Sequence, residues 1–408
     1  MRIFGFKALR PDAKHVEEVA CVPYDTVNRE EAVALAKGRP RSFLHVVRPE
    51  IALPPEIDVH SDAVYAKAAE ALAGYKADGT LAQDAEAGLF LYRQRMGEHV
   101  QRGVVACCDA EDYRQNRIVK HEKTRRDKED DRTRHVLALR ANTGPVFLTY
   151  RDNAAIDALV RRVESQAPLY DIVAVDGVAH TVWRIADSAA FTAAFGAVPA
   201  FYIADGHHRA AAAVRAASEL EAANAAHRGD EEYNRFLAVL FPATQLRILP
   251  YNRCVHDLNG LSESDFLALV GKVFSVRQDV KPVVPSKGGE AGMFLGGRWY
   301  RLTWDVPVGG DPVDQLDVSF LQQRLLAPVL GIDDPRTSER ITFVGGIRGT
   351  GALEQMVNSG QGAVAFAMAP VTVEQMMQIA DAGREMPPKS TWFEPKLRSG
   401  LLIHPFDV

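Results

Sequence analysis

A strand, a turn of five polar or special residues and a helix follow one another in the middle of this chain. The apolar run Ala200–Ala204 predicts a buried strand, and the alanine-rich run Ala210–Ala217 predicts a helix. Between them stands Asp205-Gly206-His207-His208-Arg209. A helix needs only one capping residue, so five such residues at one junction point to a function beyond chain reversal.

This junction has the chemistry of an anion site. Backbone N–H groups and the positive end of the helix dipole favour a negative group there, and Arg209 adds a planar fork suited to phosphate. We therefore predict that phosphate is bound by Gly206, His207, His208 and Arg209. Asp205 is a candidate catalytic carboxylate, which could also cap the helix, orient a histidine or hold a metal. The alternative is a plain Asp-Gly turn with surface histidines.

A second candidate segment precedes this junction by about eighty residues. Ten Lys or Arg residues against five acids lie between Arg114 and Arg140, so this stretch is positive although the whole chain carries −5. Within it Glu122 is a candidate general base, and the candidate substrate-binding residues are His121, Thr124 and Arg132. The alternative for most of the stretch is a solvated, charged helix face.

Other sequence patterns exclude several kinds of site. The glycine-rich segment Gly345–Gly351 fits neither the P-loop nor the dinucleotide pattern, which favours a plain turn. His207 and His208 are adjacent and there is no H-E-x-x-H, so the sequence predicts no dedicated metal site. A Mg²⁺ ion on nucleotide phosphates needs only one carboxylate and water, and stays compatible with the chain.

Composition predicts a globular protein of two or three domains. The 408 residues are 47% apolar and 25% charged, and no apolar run is long enough to span a bilayer. None of the four cysteines forms a C-x-x-C pair, and Cys107 and Cys108 follow an apolar run that predicts burial. We expect reduced thiols and a cytoplasmic location.

Strands and helices alternate along the chain, which predicts a mixed α/β (α+β) class. Two hairpins are expected, the first from Gly88–Arg95 and Arg102–Cys108, the second from Ile172–Asp176 and His180–Ile185. A shift to Pro, Gly, Ser and Lys between Val280 and Gly292 predicts a loop and marks a domain boundary. We predict a nucleotide-binding domain over 1–255, with inserted hairpins and the basic segment, and a C-terminal α/β domain over 256–408.

Four motifs in this order resemble the family called domain of unknown function 1015. They are Val22-Pro23-Tyr24-Asp25, Lys120-His121-Glu122-Lys123-Thr124, Ala204-Asp205-Gly206-His207-His208-Arg209, and the run from Met386 to Leu397 that contains Pro388-Lys389-Ser390-Thr391. The resemblance implies a ParB/sulfiredoxin-like core, in which a Gly-x-His-Arg turn at a helix start holds nucleotide phosphates. That superfamily includes free-serine kinases, sulfinic-acid repair enzymes and CTP-binding DNA clamps.

Within that superfamily, the resemblance favours a kinase. Repair enzymes carry a catalytic cysteine where this chain has His207, and no helix-turn-helix of a DNA clamp is evident. The expected function is a nucleotide-dependent phosphotransferase on a small hydroxyl metabolite, best guess free L-serine, using ATP or ADP and Mg²⁺. Serine kinases use a carboxylate near the first strand as base, for which Asp12 and Asp25 are the nearest candidates. The alternative is a non-catalytic nucleotide sensor.

Substrate and partner expectations complete this interpretation. Asp25, Glu122 and Asp205 are the predicted catalytic residues, and Lys389 and Ser390 join His121, Thr124 and Arg132 as predicted substrate-binding residues. Acids interrupt the basic segment and aromatic residues are nearly absent from it, so we expect no nucleic-acid partner. A small-molecule substrate, no membrane and a homo-oligomeric assembly are the remaining expectations.

Overall fold

The computed structural model describes residues 1–406. Within them are twenty strands, numbered here in chain order: β1 Leu9–Pro11, β2 Leu81–Gln83, β3 Leu89–Met96, β4 His99–Asp109, β5 Ile118–Val119, β6 Ala141–Asn142, β7 Val146–Tyr150, β8 Tyr170–Val173, β9 Ala179–Ile185, β10 Phe201–Asp205, β11 Arg235–Pro242, β12 Arg247–Leu249, β13 Tyr251–Val255, β14 Ser275–Asp279, β15 Glu290–Leu295, β16 Arg298–Thr303, β17 Ile341–Gly345, β18 Val364–Met368, β19 Trp392–Glu394 and β20 His404–Pro405.

Thirteen α-helices lie in the same part of the chain: α1 Val16–Val19, α2 Arg29–Ala36, α3 Leu44–Val47, α4 Asp62–Ala77, α5 Ala110–Arg114, α6 Arg126–Leu139, α7 Ala154–Glu164, α8 Ser188–Gly196, α9 His207–Ala223, α10 Glu263–Val273, α11 Asp317–Leu321, α12 Gly349–Asn358 and α13 Val373–Asp381. Shorter helical turns occur at Pro49–Ala52, Glu232–Asn234, Ala243–Gln245, Gln322–Leu326 and Gly346–Arg348.

The chain forms two compact units. The first comprises Met1–Leu246 and the segment that begins at Pro395, and the second is Arg247–Glu394. The sequence placed the division at residue 255 and put everything after it in the second domain, so the observed bounds differ. The final segment belongs to the first unit because its Ile403 pairs with Leu9 and its β20 pairs with β6. What each predicted domain binds stays a prediction.

A mixed eight-stranded sheet organises the first unit. Its strand order is β5-β10-β7-β11-β4-β3-β9-β8. β5 runs parallel to β10, and β7 runs parallel to β11, whereas the other neighbours are antiparallel. The two parallel pairs lie on the β5 side of the sheet and the antiparallel meander on the other. The two strands that precede the candidate motifs are therefore neighbours.

Helix α9 is joined to this sheet through an alanine face. Ala210, Ala212, Ala216 and Ala217 are at most 1% exposed, and alanine lets the helix axis approach its neighbours closely. α9 packs against β11 and against α6. Its N-cap is Gly206, in a left-handed conformation with φ of +94°, and no side chain of residues 1–406 caps its first turn. Backbone N–H groups at the start of α9 are therefore left for another acceptor.

The second unit is built on an antiparallel six-stranded sheet of order β14-β16-β15-β18-β13-β17. One core cluster of this unit includes Phe266, Met293, Leu325 and Phe366, all fully buried. Strands β12 and β19 pair so that Arg247 lies opposite Glu394. The first and last residues of the unit are thus held side by side, as expected of a domain inserted into another.

The observed architecture confirms the mixed α/β class and both predicted hairpins, which are β3–β4 and β8–β9. Cys107 and Cys108 are buried in β4, as predicted. The ParB/sulfiredoxin-like core stays a prediction.

The segment 3–8 forms no continuous strand. Phe4 and Phe6 bridge to Cys107 and Gly88, so there is no continuous ladder before β1 begins at Leu9.

Candidate functional site

Two neighbouring parallel strands bring the two candidate motifs together. In β5 and β10, Ile118 lies opposite Phe201 and Val119 opposite Tyr202. Because parallel strands end at the same sheet edge, the segment after β5 and the Asp205–Arg209 turn lie side by side. The second candidate segment and the turn therefore share one edge of the sheet, although His121 does not follow β4 directly in the chain. α5 intervenes, and the two-residue strand β5 was not predicted.

Imidazole rings form the contact between the motifs. The rings of His121 and His207 meet edge to face with centroids 4.4 Å apart. His207 Nδ1 lies 3.8 Å from Glu122 Oε2, and His208 Nε2 accepts a 3.0 Å hydrogen bond from the Arg125 N–H. The predicted pair of His121 and Glu122 therefore lies against the predicted phosphate turn.

Both rings of this contact are neutral at pH 7. Burial lowers the pKa of His121 to about 4 and that of His207 well below its usual value. Among residues 1–406, neither ring nitrogen of His121 has a hydrogen-bond partner. Nε2 of His207 also has none there. A buried polar group without a partner costs about 1–3 kcal/mol, so this arrangement is expensive for a packing contact alone.

Asp205 is held by two cations. Its Oδ2 lies 3.4 Å from Arg209 Nη2 and 3.3 Å from Lys396 Nζ, while Oδ1 accepts from the Gly206 N–H at 2.9 Å. Burial acts to raise the pKa of Asp205, but Lys396 and Arg209 outweigh it and hold that pKa far below the usual value. Asp205 is thus ionised and a poor proton acceptor, suited to positioning Arg209 rather than to base catalysis.

Arg209 lies at the centre of the site. Its side chain is 10% exposed, and Nη1 donates to the Pro145 carbonyl. Burial acts to lower the pKa of Arg209, but the negative charges of Asp25 and then Asp205 have the larger effect and raise it. Asp25, which is exposed, also acts on the pKa of His208, which burial lowers. Asp25 therefore faces the same turn from the first motif.

A small cavity opens beside Arg209. Its enclosed volume is about 40 Å³, and its lining includes Tyr24, Arg132, Thr143, Gly144 and Ser399 together with Arg209. By the usual measure this volume holds roughly three water molecules, so it accepts a group of phosphate size but not a nucleoside. The guanidinium of Arg132 lies 4.2 Å over the Tyr24 ring and pairs with Asp131. Two arginines thus line one small cavity.

Three predicted substrate-binding residues have other contacts. The Thr124 hydroxyl donates to Glu129 Oε2 at 2.9 Å, beside the start of α6. Lys389 and Ser390 lie in the second unit, where Lys389 Nζ lies 5.6 Å over the Tyr251 ring and the Ser390 hydroxyl donates to the Pro387 carbonyl at 2.7 Å. Their proposed role in substrate binding stays a prediction.

Lys396 is the site residue that sequence reasoning missed. It lies in the same final motif, Met386–Leu397, whose Lys389 and Ser390 were chosen instead. Nothing local distinguishes one lysine from the other, because the partner that identifies Lys396 is Asp205, 191 positions away in the sequence. Tyr24, which lines the cavity, also lay inside a quoted motif without being chosen. Burial, then Asp25, raises the pKa of its hydroxyl to about 12.

The family model described as "Protein of unknown function (DUF1015)" matches residues 3–319. The chain belongs to the DUF1015 family. The matched region contains three of the four motifs quoted above, and only the final motif, which provides Lys396, lies beyond it. Comparison of this DUF1015 chain with curated proteins gives no match.

Solved structures of low sequence identity resemble this DUF1015 chain. A mutant of free serine kinase in complex with AMP matches with a TM-score of 0.36 and 12% identity, over 73% of this chain and 92% of the other. A conserved hypothetical protein from Pyrococcus furiosus matches with a TM-score of 0.35 and 14% identity, over 73% of this chain and 95% of the other. SbnI with a C-terminal truncation, from Staphylococcus aureus, matches with a TM-score of 0.37 and 10% identity, over 73% of this chain and 86% of the other.

No helix in the described part of this DUF1015 chain combines the length and apolar character needed to cross a bilayer.

Proposed function

We propose that this chain is a nucleotide-dependent phosphotransferase that acts on a small hydroxyl metabolite, with free L-serine as the first candidate. The observation that carries the proposal is the pairing of β5 with β10, which puts carboxylate and imidazole groups beside an uncapped helix start and Arg209. Phosphoryl transfer requires mainly positioning and charge neutralisation, which this arrangement offers.

Arg209, Arg132 and the first turn of α9 would bind the phosphates. The cavity beside Arg209 has room for one phosphate-sized group, so the nucleoside would lie in its opening. Asp205 would hold Arg209 in position from behind, with Lys396 balancing its charge. In this arrangement Asp205 positions Arg209 and takes no proton, which is compatible with its low pKa.

A carboxylate would take the proton of the acceptor hydroxyl. As the hydroxyl oxygen bonds to phosphorus, the bond to the leaving phosphate oxygen breaks and the proton passes to the carboxylate. Asp25 and Glu122 are the candidates, because both side chains reach solvent and both face the turn. Mg²⁺ prefers oxygen ligands and keeps waters, so the same carboxylates fit an ion that neutralises phosphate charge.

The test is a product assay on the full chain. Protein is incubated with ATP or ADP, Mg²⁺ and L-serine, and phosphoserine is followed by phosphorus NMR. We expect product from wild type, and at least a hundredfold loss, on the order of what general-base removal costs, in Asp25→Asn or Glu122→Gln. Asp12→Asn is the matched control, because Asp12 caps the turn at Lys14 and His15 instead.

Two results would reject the kinase. Nucleotide binding without turnover on any amino or hydroxy acid would favour the sensor, and equal activity in wild type and both site variants would remove the proposed bases.

A further inference from the structure

Two buried histidines and one carboxylate converge where the two motifs meet. One ligand atom each from His121, Glu122 and His207 can be chosen so that all three lie within 4.8 Å of one another. His121 is 1% exposed and His207 is 5% exposed, while the Glu122 side chain is 51% exposed. The group therefore has a dry side formed by imidazoles and a solvent side formed by a carboxylate.

Packing alone accounts poorly for these histidines. A neutral imidazole has one N–H donor and one acceptor nitrogen, and a buried ring normally uses at least one of them. The three other buried histidines among the described residues of the first unit follow that rule. His135 Nε2 bonds to the Val46 carbonyl, His180 bonds to Tyr92 and Arg398, and His404 Nε2 bonds to Glu232. His121 uses neither nitrogen among the described residues.

We propose that His121, Glu122 and His207 bind one divalent transition metal ion. Two imidazole nitrogens and one carboxylate oxygen are a donor set that suits zinc and related ions, and they leave at least one coordination position open. The sequence prediction of no dedicated metal site compared only close neighbours in the chain. The two halves of this site are 85 residues apart and meet only because β5 pairs with β10.

The present distances require a modest closure. Bonds of about 2.0–2.1 Å in a tetrahedral site place ligand atoms roughly 3.3 Å apart. The contact between His207 Nδ1 and Glu122 Oε2 is 3.8 Å, and all three ligand atoms lie within 4.8 Å of one another. The Glu122 side chain is half exposed, so it is the least confined of the three ligands.

The ion would have a structural and a chemical consequence. It would fasten the segment after β5 to the first turn of α9, at the proposed phosphate site. Glu122, as a ligand, would then be unavailable as a base, which leaves Asp25 as the proton acceptor in the proposed reaction. Metal binding itself does not depend on that reaction, so its test uses no nucleotide.

The experiment titrates the chelator-treated full chain with ZnCl₂ by calorimetry, and with Co²⁺ by visible absorption. We expect one ion per chain and the intense bands of low-coordinate Co²⁺. Glu122→Gln and His121→Gln should weaken Zn²⁺ binding by at least about a hundredfold, since loss of a supporting contact alone costs 10–100-fold. His227→Gln is the matched control: it changes a half-buried histidine of the same unit, which bonds to the Tyr233 hydroxyl outside this site, and should bind Zn²⁺ as wild type does.

Two outcomes would overturn the proposal. One is the absence of saturable Zn²⁺ or Co²⁺ binding to a folded wild-type chain. The other is equal Zn²⁺ affinity in wild type and Glu122→Gln. The glutamate variant decides the matter if His121→Gln fails to fold, because Glu122 is half exposed and glutamine preserves its shape. If either of these outcomes is found while phosphoserine is still formed, the metal site is rejected and the phosphotransferase proposal is unaffected.

Discussion

Arg209 combines a structural and a proposed binding role in one side chain. Its guanidinium bonds to the Pro145 carbonyl and Asp205 while it also lines the cavity. These bonds hold the guanidinium in one orientation, so its remaining N–H donors are preorganised for a phosphate. Replacing it should therefore affect ligand affinity more than a surface arginine on the same helix would.

We expect Arg209→Ala to weaken ADP binding by more than about tenfold, equivalent to about 1.4 kcal/mol. Arg209→Lys keeps the charge but loses the fork, and should recover only part of the affinity. Calorimetric titration with ADP measures both. Arg215→Ala, at a partly exposed position of α9 paired with Asp130, is the control. Wild-type affinity in a folded Arg209→Ala protein would contradict a phosphate role for the turn.

Buried histidines make the stability of this protein sensitive to acid. Burial lowers the pKa of His135 and that of His180 to about 3 each, from an unfolded value near 6.5. Above pH about 6.5 both are neutral whether folded or not. As pH falls from about 6.5 toward 3, only the unfolded chain takes up these protons, so the free energy of unfolding falls.

Each such histidine should contribute a slope of up to about 1.4 kcal/mol per pH unit in that window. Urea unfolding at several pH values between about 7.5 and 5 measures the slope. His135→Gln should reduce the slope of the free energy of unfolding against pH by the contribution of one histidine, because glutamine does not titrate. The same slope in wild type and variant would show that His135 is not the neutral buried group described here.

At the scale of elements, the start of α9 depends on a glycine. Gly206 has φ of +94°, and a Cβ there would lie 3.0 Å from Arg209 Nε. The side chain would thus meet both backbone strain and the guanidinium. Gly97, in the turn between β3 and β4, has φ of +59° but nothing within 4 Å.

Both Gly206→Ala and Gly97→Ala should lose about 1–2 kcal/mol of stability from the backbone conformation. Only Gly206→Ala should also reduce ADP affinity, because its methyl group displaces Arg209. Chemical denaturation and calorimetric titration of the two variants separate these effects. Reduced affinity in both would mean that general destabilisation, rather than the position of Arg209, accounts for the loss.

The alanine face of α9 sets how close the helix lies to its neighbours. Ala212 is fully buried, whereas Ala222, ten positions later on the same helix, is exposed. Ala212→Leu should destabilise the protein by about 1–3 kcal/mol through overpacking. Ala222→Leu should change stability by less than about 0.5 kcal/mol. Equal urea midpoints for the two variants would contradict the close packing of this helix.

At the scale of the whole molecule, the second unit has the features of a domain that folds alone. Its ends pair through β12 and β19, and it has its own sheet and cores. We expect the fragment 247–394 to unfold cooperatively in urea. The fragment 256–408, with the bounds that the sequence suggested, lacks β13, which lies between β18 and β17, and should not. Cooperative unfolding of both, or of neither, would contradict this division.

Local sequence determined the elements around the site. Alternating and apolar runs predicted β3, β4 and β10, and the alanine run predicted α9, because these patterns reflect burial of one face or of a whole strand. The turn Asp205–Arg209 was recognisable because its residues are costly in a plain turn. Asn28 caps α2 and forms a capping box with Glu31, a pattern that local sequence specifies.

The contacts between distant residues of the site depend on the pairing of strands. Strand β5 has two residues and no pattern of its own, and it exists because β10 offers it a parallel partner. That pairing places His121 and Glu122 against His207, and the return of the chain after Glu394 supplies Lys396 to Asp205. Contacts between residues 85 and 191 positions apart leave no periodic signal in a sequence, because they depend on strand order rather than on local propensity.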